Sequence, residues 1–297
     1  MYDLIRFFEK KEYMEEFLDG NLFMNSLSHF WKLEEAPQKD VAEGVIETLH
    51  KDDFKKQHGS FISDFFGDEH IVLPIMNRSE SYKYCHLLCC MLHEYDSLRH
   101  EAVRIDSRMK SMGKYTVRIY NVEEFVNRLY DKLKSKDLYG LMGPVNYHSA
   151  YEESQYRDCF DKNDGHAYEQ EWRFAVIPDY KKAQEMAQKD INAPYDAYIR
   201  YDIGSIRDIA EQVDTEQLVT DAGSVYKSNK GTRYRTVEQL SNKKQAEEYL
   251  QRLRDNNVAV PYDVDPVQYV GWAPREAFRQ KVMEIDGGFM KPLAVIG

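Results

Sequence analysis

Apolar positions along this chain change period often, and each change marks an element. Tyr2 to Phe8 is apolar with Arg6 inside it and reads as a short strand. Tyr13, Met14, Phe17 and Leu18 then recur at helical spacing, with Gly20 where a C-cap belongs. Leu22 to Met24 reads as a second short strand, and His29 to Leu33 as a turn of helix. Ile71 to Met76 and Tyr82 to Leu92 are predicted strands, and the charged stretch 97–112 is predicted to be helical in part. Tyr115, Val117 and Ile119 alternate with Thr116 and Arg118, the pattern of a half-buried strand. Asn121 is placed to cap the next helix, with Glu124 as capping-box partner and Phe125, Leu129 and Leu133 as its apolar stripe. Val145 to His148 and Ala197, Ile199 and Tyr201 read as further strands, with helix around 183–189 between them. Near the end, Ser241 starts a helix and Val267 to Trp272 reads as a strand. Pro274 then opens a helix bearing Phe278, Val282 and Ile285.

Many short strands with helices between them, and no regular βαβ alternation, predict an α+β fold with mixed, mostly antiparallel sheets and flanking helices. The boundaries expected are a core domain over 1–220, a flexible loop over 221–240 and a C-terminal extension over 241–297 packed on the core. No internal repeat breaks this up.

The 297 residues carry a net charge of −11, and 22 of them are tyrosine. That acidity argues against nucleic acid as a partner, because a phosphate backbone attracts a basic footprint. The one basic stretch, Lys227, Lys230, Arg233 and Arg235, lies among Gly, Ser and Asn and reads as a solvated loop. With neither an apolar run long enough to span a bilayer nor an apolar leader, no membrane partner is expected. Four cysteines in a chain of this length do not make a disulfide scaffold, so a reducing cytoplasm is the expected location.

The densest chemistry lies at 166–178. Trp172, Phe174 and Val176 alternate with Arg173 and Ala175, and Pro178 ends the run. On a strand, Glu169 and Glu171 would share one face roughly 7 Å apart, where like charges need a cation or hydroxyls between them. Elsewhere Cys85, His86, Cys89, Cys90 and His93 could be metal ligands, but no second cluster completes a tetrahedral site, so a core strand is expected and no metal. Nucleophile-elbow and P-loop patterns are absent from the sequence.

Arg6, Asn25, Ser26 and His29, with Tyr168, Glu169 and Glu171, supply a cation, amide and hydroxyl donors, an aromatic face and carboxylates. That inventory can hold a nicotinamide dinucleotide and break its glycosidic bond. A carboxylate aimed at the ribose stabilises an oxocarbenium-like transition state. Arg binds phosphate bidentately, and an aromatic ring stacks on nicotinamide. The plainer alternative is that Arg6 pairs with one of the glutamates and that Trp172 and Phe174 are core.

Four stretches carry a resemblance over residues 1–220: Gly20-Asn-Leu-Phe-Met-Asn-Ser-Leu-Ser-His-Phe30, Asp40-x-x-Glu43-Gly44, the Tyr-Lys-Tyr-Cys run at 82–85 with Cys89, and Tyr168-Glu-Gln-Glu-Trp-Arg173. In them the chain resembles a group of bacterial and prophage proteins, a group similar in pattern to the ADP-ribosyltransferase superfamily. The resemblance implies that Arg6 and either Asn25 or Ser26 bind NAD, that Glu171 is the catalytic carboxylate and that Glu169 selects or orients an acceptor; Tyr168, from the inventory above, is the further NAD-binding candidate. It also implies a place in phage defence, as an abortive-infection effector acting on a protein acceptor. A non-catalytic recognition or sensor module in the same setting is the alternative. A metal-dependent nuclease built on Asp40, Glu43, Glu169 and Glu171 is a third, which the acidic balance disfavours.

Overall fold

The computed structural model describes residues 2–32, 43–49, 75–96, 101–102, 105–136, 139–149, 152, 157–220, 235–236, 251, 275, 278–286 and 290–293. The strands in chain order are β1 (Tyr2–Phe8), β2 (Asn21–Ser26), β3 (Val45–Leu49), β4 (Ile75–Ser79), β5 (His86–Asp96), β6 (Glu101–Ala102), β7 (Ile105–Asp106) and β8 (Tyr115–Ile119). They continue as β9 (Tyr139–Pro144), β10 (Asn146–His148), β11 (Asp161–Asn163), β12 (Glu171–Ile177), β13 (Tyr198–Asp202), β14 (Ala210–Asp214), β15 (Val219–Thr220), β16 (Arg235–Thr236) and β17 (Met290–Leu293). The helices of the described residues include α1 (Lys11–Leu18), α2 (Leu27–Trp31), α3 (Val122–Lys136), α4 (Tyr180–Asp190) and α5 (Thr215–Leu218).

The main sheet runs β14-β8-β1-β5-β12-β9-β16, with β2 joined to both β5 and β13 and with β6 on β5. Its pairings are antiparallel; the two parallel pairs, β10 with β11 and β7 with β15, lie outside it. A separate antiparallel sheet holds β17, β4 and β3. The fold is α+β.

Alternation along the strands sends apolar residues to both faces. Leu4, Leu88, Leu92, Val117, Trp172 and Phe174 share one face, which α1 covers with Met14 and Phe17 and α3 with Phe125 and Leu129. The other face is divided. Ile5 and Met91 pack with Ile105 and Met109 at one end. Leu87, Ala175 and Ile177 pack with Ala183, Phe160 and Val282 at the other. Glu171 and Arg173 lie between these two clusters along β12.

Local chemistry explains several element ends. Gly20 follows α1 at φ +89, and a Cβ there would lie 1.9 Å from the carbonyl oxygen of Gly204. Only glycine permits both the left-handed backbone and that approach. At α3, the Glu124 amide donates to Asn121 Oδ1 at 3.2 Å, as the capping pattern requires. The Glu124 carboxylate turns instead to Arg128 at 2.8 Å, so only half of the box forms.

Several expectations need correction. Residues 80–84 form a 3-10 turn rather than the start of β5, and Tyr82 and Tyr84 are buried in it. Among the described residues of 97–112, the helical part is the 3-10 turn Ser107–Met112, with β6 and β7 before it. Thr116 is buried rather than solvent-facing, because its hydroxyl meets that of Thr215 at 2.7 Å. Within the loop expected at 221–240, Arg235–Thr236 pair with β9; Lys227, Lys230 and Arg233 lie outside the described residues, as do Leu33, Asp40, Ser241 and 267–272. Further on, Phe278, Val282 and Ile285 are buried as their spacing predicts. Arg275 binds Asp158 at 2.6 and 2.9 Å and also reaches Asp161, which ties the C-terminal residues to the core.

Candidate functional site

The site begins with a split in the main sheet. One edge of β5 pairs with β1 from Met91 to Glu94 and with β2 at His86 and Leu87. Residues 88–90 lie between, where neither strand pairs with them on that side. A buried carbonyl in such a gap needs another donor. Arg6 supplies it, donating from Nη1 to the carbonyl oxygen of Cys89. The guanidinium also lies over the rings of Phe8 and Phe17, at 5.5 and 5.4 Å. Its Nε is buried and, among the described residues, has no hydrogen-bond partner.

A pocket of about 220 Å³ opens at this split, and Arg6, Asn25, Glu169 and Glu171 all line it. Strand register places Arg6 opposite Val117 and Glu171 opposite Met91, whose other partner is Ile5. Arg6 therefore springs from the opposite face of the sheet to Glu171. The two meet in one pocket because β1 and β2 part, and Cys90 joins Arg6 from that far face. Asn25 and Phe23 belong to the same face as Glu171, since Asn25 is in register with Leu87.

The two glutamates converge by a different route from simple alternation. Glu169 ends the 3-10 turn Asp164–Glu169, and β12 starts only at Glu171. Gln170 between them has φ 42 and ψ 50, a left-handed conformation that costs a residue with a Cβ roughly 1–2 kcal/mol. The kink brings both carboxylates to one ammonium group. Lys162 of β11 donates to Glu169 Oε2 and, at 3.2 Å, to Glu171 Oε2.

A buried ion network extends from there. Arg173 donates to both oxygens of Glu171, at 2.7 and 3.1 Å, and to both oxygens of Glu43, at 2.6 and 3.0 Å. It also reaches the carbonyl oxygen of Cys159. His166 Nδ1 lies 2.9 Å from Glu169 Oε1 at the more exposed end. Burial alone would push the Glu171 carboxyl up, but Arg173 and Lys162 outweigh it and hold the group well below the usual carboxylate range. Burial works against the charge on Lys162 too, and Glu171 and Glu169 reverse that and raise its pKa. Glu171 is thus an anion and Lys162 a cation at neutral pH. Behind them, Tyr147 Oη accepts from the backbone N–H of Glu171 at 2.7 Å.

Two expected site residues are placed elsewhere. Ser26 is fully buried and does not line the pocket. Its hydroxyl lies 3.0 Å from that of Ser28 and accepts from the Ala197 amide at 3.3 Å, so it ties β2 to the segment before β13. Tyr168 is buried beside Ile5 and Met109, and the Arg108 guanidinium covers its ring at 3.8 Å. That ring is not the open face expected for nicotinamide. Among the cysteines, Cys90 is buried in β5 and Cys85 is buried just before it, at the end of the 3-10 turn, whereas Cys89 is only partly buried and lines the pocket. Burial pushes the Cys85 thiol above its usual range and Cys90 to about 11.

Lys162 and Arg173 do not stand out as site residues in the sequence, and Glu43 does not stand out as their partner. Lys162 stands in the polar run Asp161-Lys-Asn-Asp164, which has no period. Arg173 alternates with apolar neighbours as a solvent-facing residue would, yet every residue of β12 is buried. Glu43 appeared in an acidic motif and in the metal-nuclease alternative, not as the partner of a buried arginine. The signal that could have found them is charge balance, because two buried carboxylates imply buried cations.

Among the described residues, no group of three or more His, Cys, Asp or Glu side chains is placed to hold a metal ion. Glu43, Glu169 and Glu171 are instead bound by Arg173 and Lys162. Also among the described residues, no helix is long and apolar enough to cross a membrane. No family model, curated protein or solved structure matches the chain.

Proposed function

We propose that this pocket binds the nicotinamide–ribose end of NAD and that the protein is ADP-ribosyltransferase-like. The observation that carries the reading is the convergence of Arg6, Asn25, Glu169 and Glu171, from separate parts of the chain, on one pocket at the split between β1 and β2. In this reading the carboxylate of Glu171, ionised at neutral pH, faces the ribose carbon that becomes cationic. The bond from that carbon to the nicotinamide nitrogen breaks, and its electron pair leaves with the nicotinamide and neutralises the pyridinium. The ribosyl carbon then takes a lone pair from a protein acceptor or from water. Arg6, on the pocket wall, offers its positive charge to a phosphate oxygen. A role in phage defence rests on the resemblance alone.

The test measures NAD binding by calorimetry and nicotinamide release for wild type and Glu171→Gln. Losing one preorganised electrostatic contact lowers the rate by about 10²–10³, while ground-state binding changes much less. Equal turnover by wild type and Glu171→Gln removes Glu171 from the chemistry, and absence of NAD binding to wild type overturns the reading.

One observation favours a second reading. The charge of Glu171 is already met by both Arg173 and Lys162, as in a structural ion network. A recognition module would use the pocket to bind without turnover. NAD binding with no nicotinamide release, in the presence of candidate acceptors, is the result that reading expects.

A further inference from the structure

The rim of the pocket carries an aromatic pair that the chemistry above does not use. Phe23 is 37% exposed and Tyr198 is 64% exposed, both high for large rings. They stack on each other with centroids 5.2 Å apart and planes at 27°. The register Tyr198↔Asn25 and Arg200↔Phe23 puts all four residues on one face, with the two rings as diagonal neighbours across β2 and β13. Phe23 also lines the pocket, so the stack continues from the pocket wall onto the open surface. The Arg200 guanidinium lies 5.7 Å from the centre of the Phe23 ring and is anchored by Glu16 at 3.1 Å.

Size decides what such a ledge can hold. Pockets that enclose a whole organic ligand run to about 300–1,000 Å³. This one, at about 220 Å³, takes a ring and its sugar and leaves the rest of a dinucleotide outside. Whatever leaves the pocket past Phe23 meets Tyr198. We propose that Phe23 and Tyr198 form the stacking platform for the adenine ring of the dinucleotide whose other end occupies the pocket. The proposal rests on the NAD reading and adds a second contact point to it. An exposed ring with an open π-face suits a flat heteroaromatic base, and such stacking changes affinity by roughly 5- to 150-fold per base.

Calorimetry with NAD, nicotinamide mononucleotide and AMP, on wild type, Tyr198→Ala and Phe23→Ala, tests it. Tyr198 is exposed and does not line the pocket, so its removal leaves fold and pocket intact, and matched thermal melts check this. Wild type should bind NAD at least 5-fold more tightly than nicotinamide mononucleotide, and Tyr198→Ala should erase that difference without weakening nicotinamide mononucleotide. Phe23→Ala should weaken both. If Tyr198→Ala binds NAD as wild type does, the platform is wrong and the pocket reading stands. If AMP binds in a Tyr198-dependent way while nicotinamide mononucleotide does not bind, the platform stands and the pocket reading falls. If none of the three binds, both fall.

Discussion

Arg173 grips both carboxylate oxygens of Glu43, which lies 130 positions earlier in the chain, at 2.6 and 3.0 Å. Both side chains are almost fully buried. The pair joins β12 of the main sheet to the segment that leads into β3 of the small one. It also leaves Arg173 bound bidentately on two sides, because Glu171 takes the remaining edge.

Removing Glu43 should therefore cost far more than a surface ion pair would. Glu43→Ala leaves a buried guanidinium half-compensated, and breaking such a pair from one side costs about 3–5 kcal/mol. Glu43→Gln keeps one acceptor oxygen and should cost less. Urea denaturation measures both. A loss below about 1 kcal/mol for Glu43→Ala would mean that the clamp is not formed in solution.

His86 makes stability depend on pH between its unfolded and folded values. The ring is fully buried, and burial lowers its pKa from 6.5 to about 4 despite a backbone hydrogen bond to Tyr84 that acts the other way. Between those values the unfolded chain binds the proton and the folded one does not, so stability rises with pH. The contribution is complete above pH 6.5 and is lost as pH falls towards 4, by about 3 kcal/mol in all. Unfolding midpoints across that range should show a slope that His86→Phe flattens. An identical slope in the variant would assign the pH dependence to other groups.

The left-handed Gln170 is a point of local strain with a definite reason. It turns the chain so that Glu169 and Glu171 both reach Lys162, and its own Nε2 is buried without a partner among the described residues. Gln170→Gly should hold or raise stability, by up to about 1 kcal/mol, because glycine enters this conformation freely. Gln170→Val should lower it by about 1–2 kcal/mol, since a β-branched residue is poorly accommodated there. The comparison uses thermal melts. Equal melting of the Gly and Val variants would show that the turn relaxes in solution.

How much was legible follows from which interactions are local. The strand at 2–8, the helix after it and the Asn121 cap depend on neighbours in sequence, and period and end residues show them. The convergence of Arg6, Asn25, Glu169 and Glu171 could be suspected from residue types. Its geometry could not, because Arg6 crosses to the far face through a gap that only strand pairing creates. Alternation alone also does not show that Arg173 is buried. The strand is buried on both faces, so the pattern of polar and apolar residues there reports a buried ion pair rather than a surface. Ser26 and Tyr168 have the right chemistry for a site and are taken up by Ala197 and Arg108, partners remote in sequence from them.

Lys162 offers the sharpest test of whether the network acts through charge or through packing. Its ammonium joins Glu169 and Glu171, and its loss leaves two buried carboxylates with Arg173 as the remaining cation beside Glu171. Lys162→Met keeps most of the volume and removes the charge, and should cost about 3–5 kcal/mol at pH 7. The sign of its pH dependence separates the causes. In wild type the Glu171 carboxyl sits below its ordinary 4.5, so its contribution is complete above that value and is lost as pH falls below it. Without Lys162, an attraction that lowers this pKa is gone while burial still raises it. The folded carboxyl then moves towards or above the unfolded value and takes up a proton as pH falls. A protonated carboxyl no longer needs the ammonium, so the stability gap between wild type and Lys162→Met should shrink from pH 7 to pH 4. Glu169→Gln combined with Lys162→Met should recover part of the loss at pH 7, with a coupling of about 1–3 kcal/mol. Urea midpoints at pH 7, 5.5 and 4 for the four proteins measure both effects. A gap that stays constant across that range, with no coupling to Glu169, would show that Lys162 fills space and does not hold the two carboxylates together.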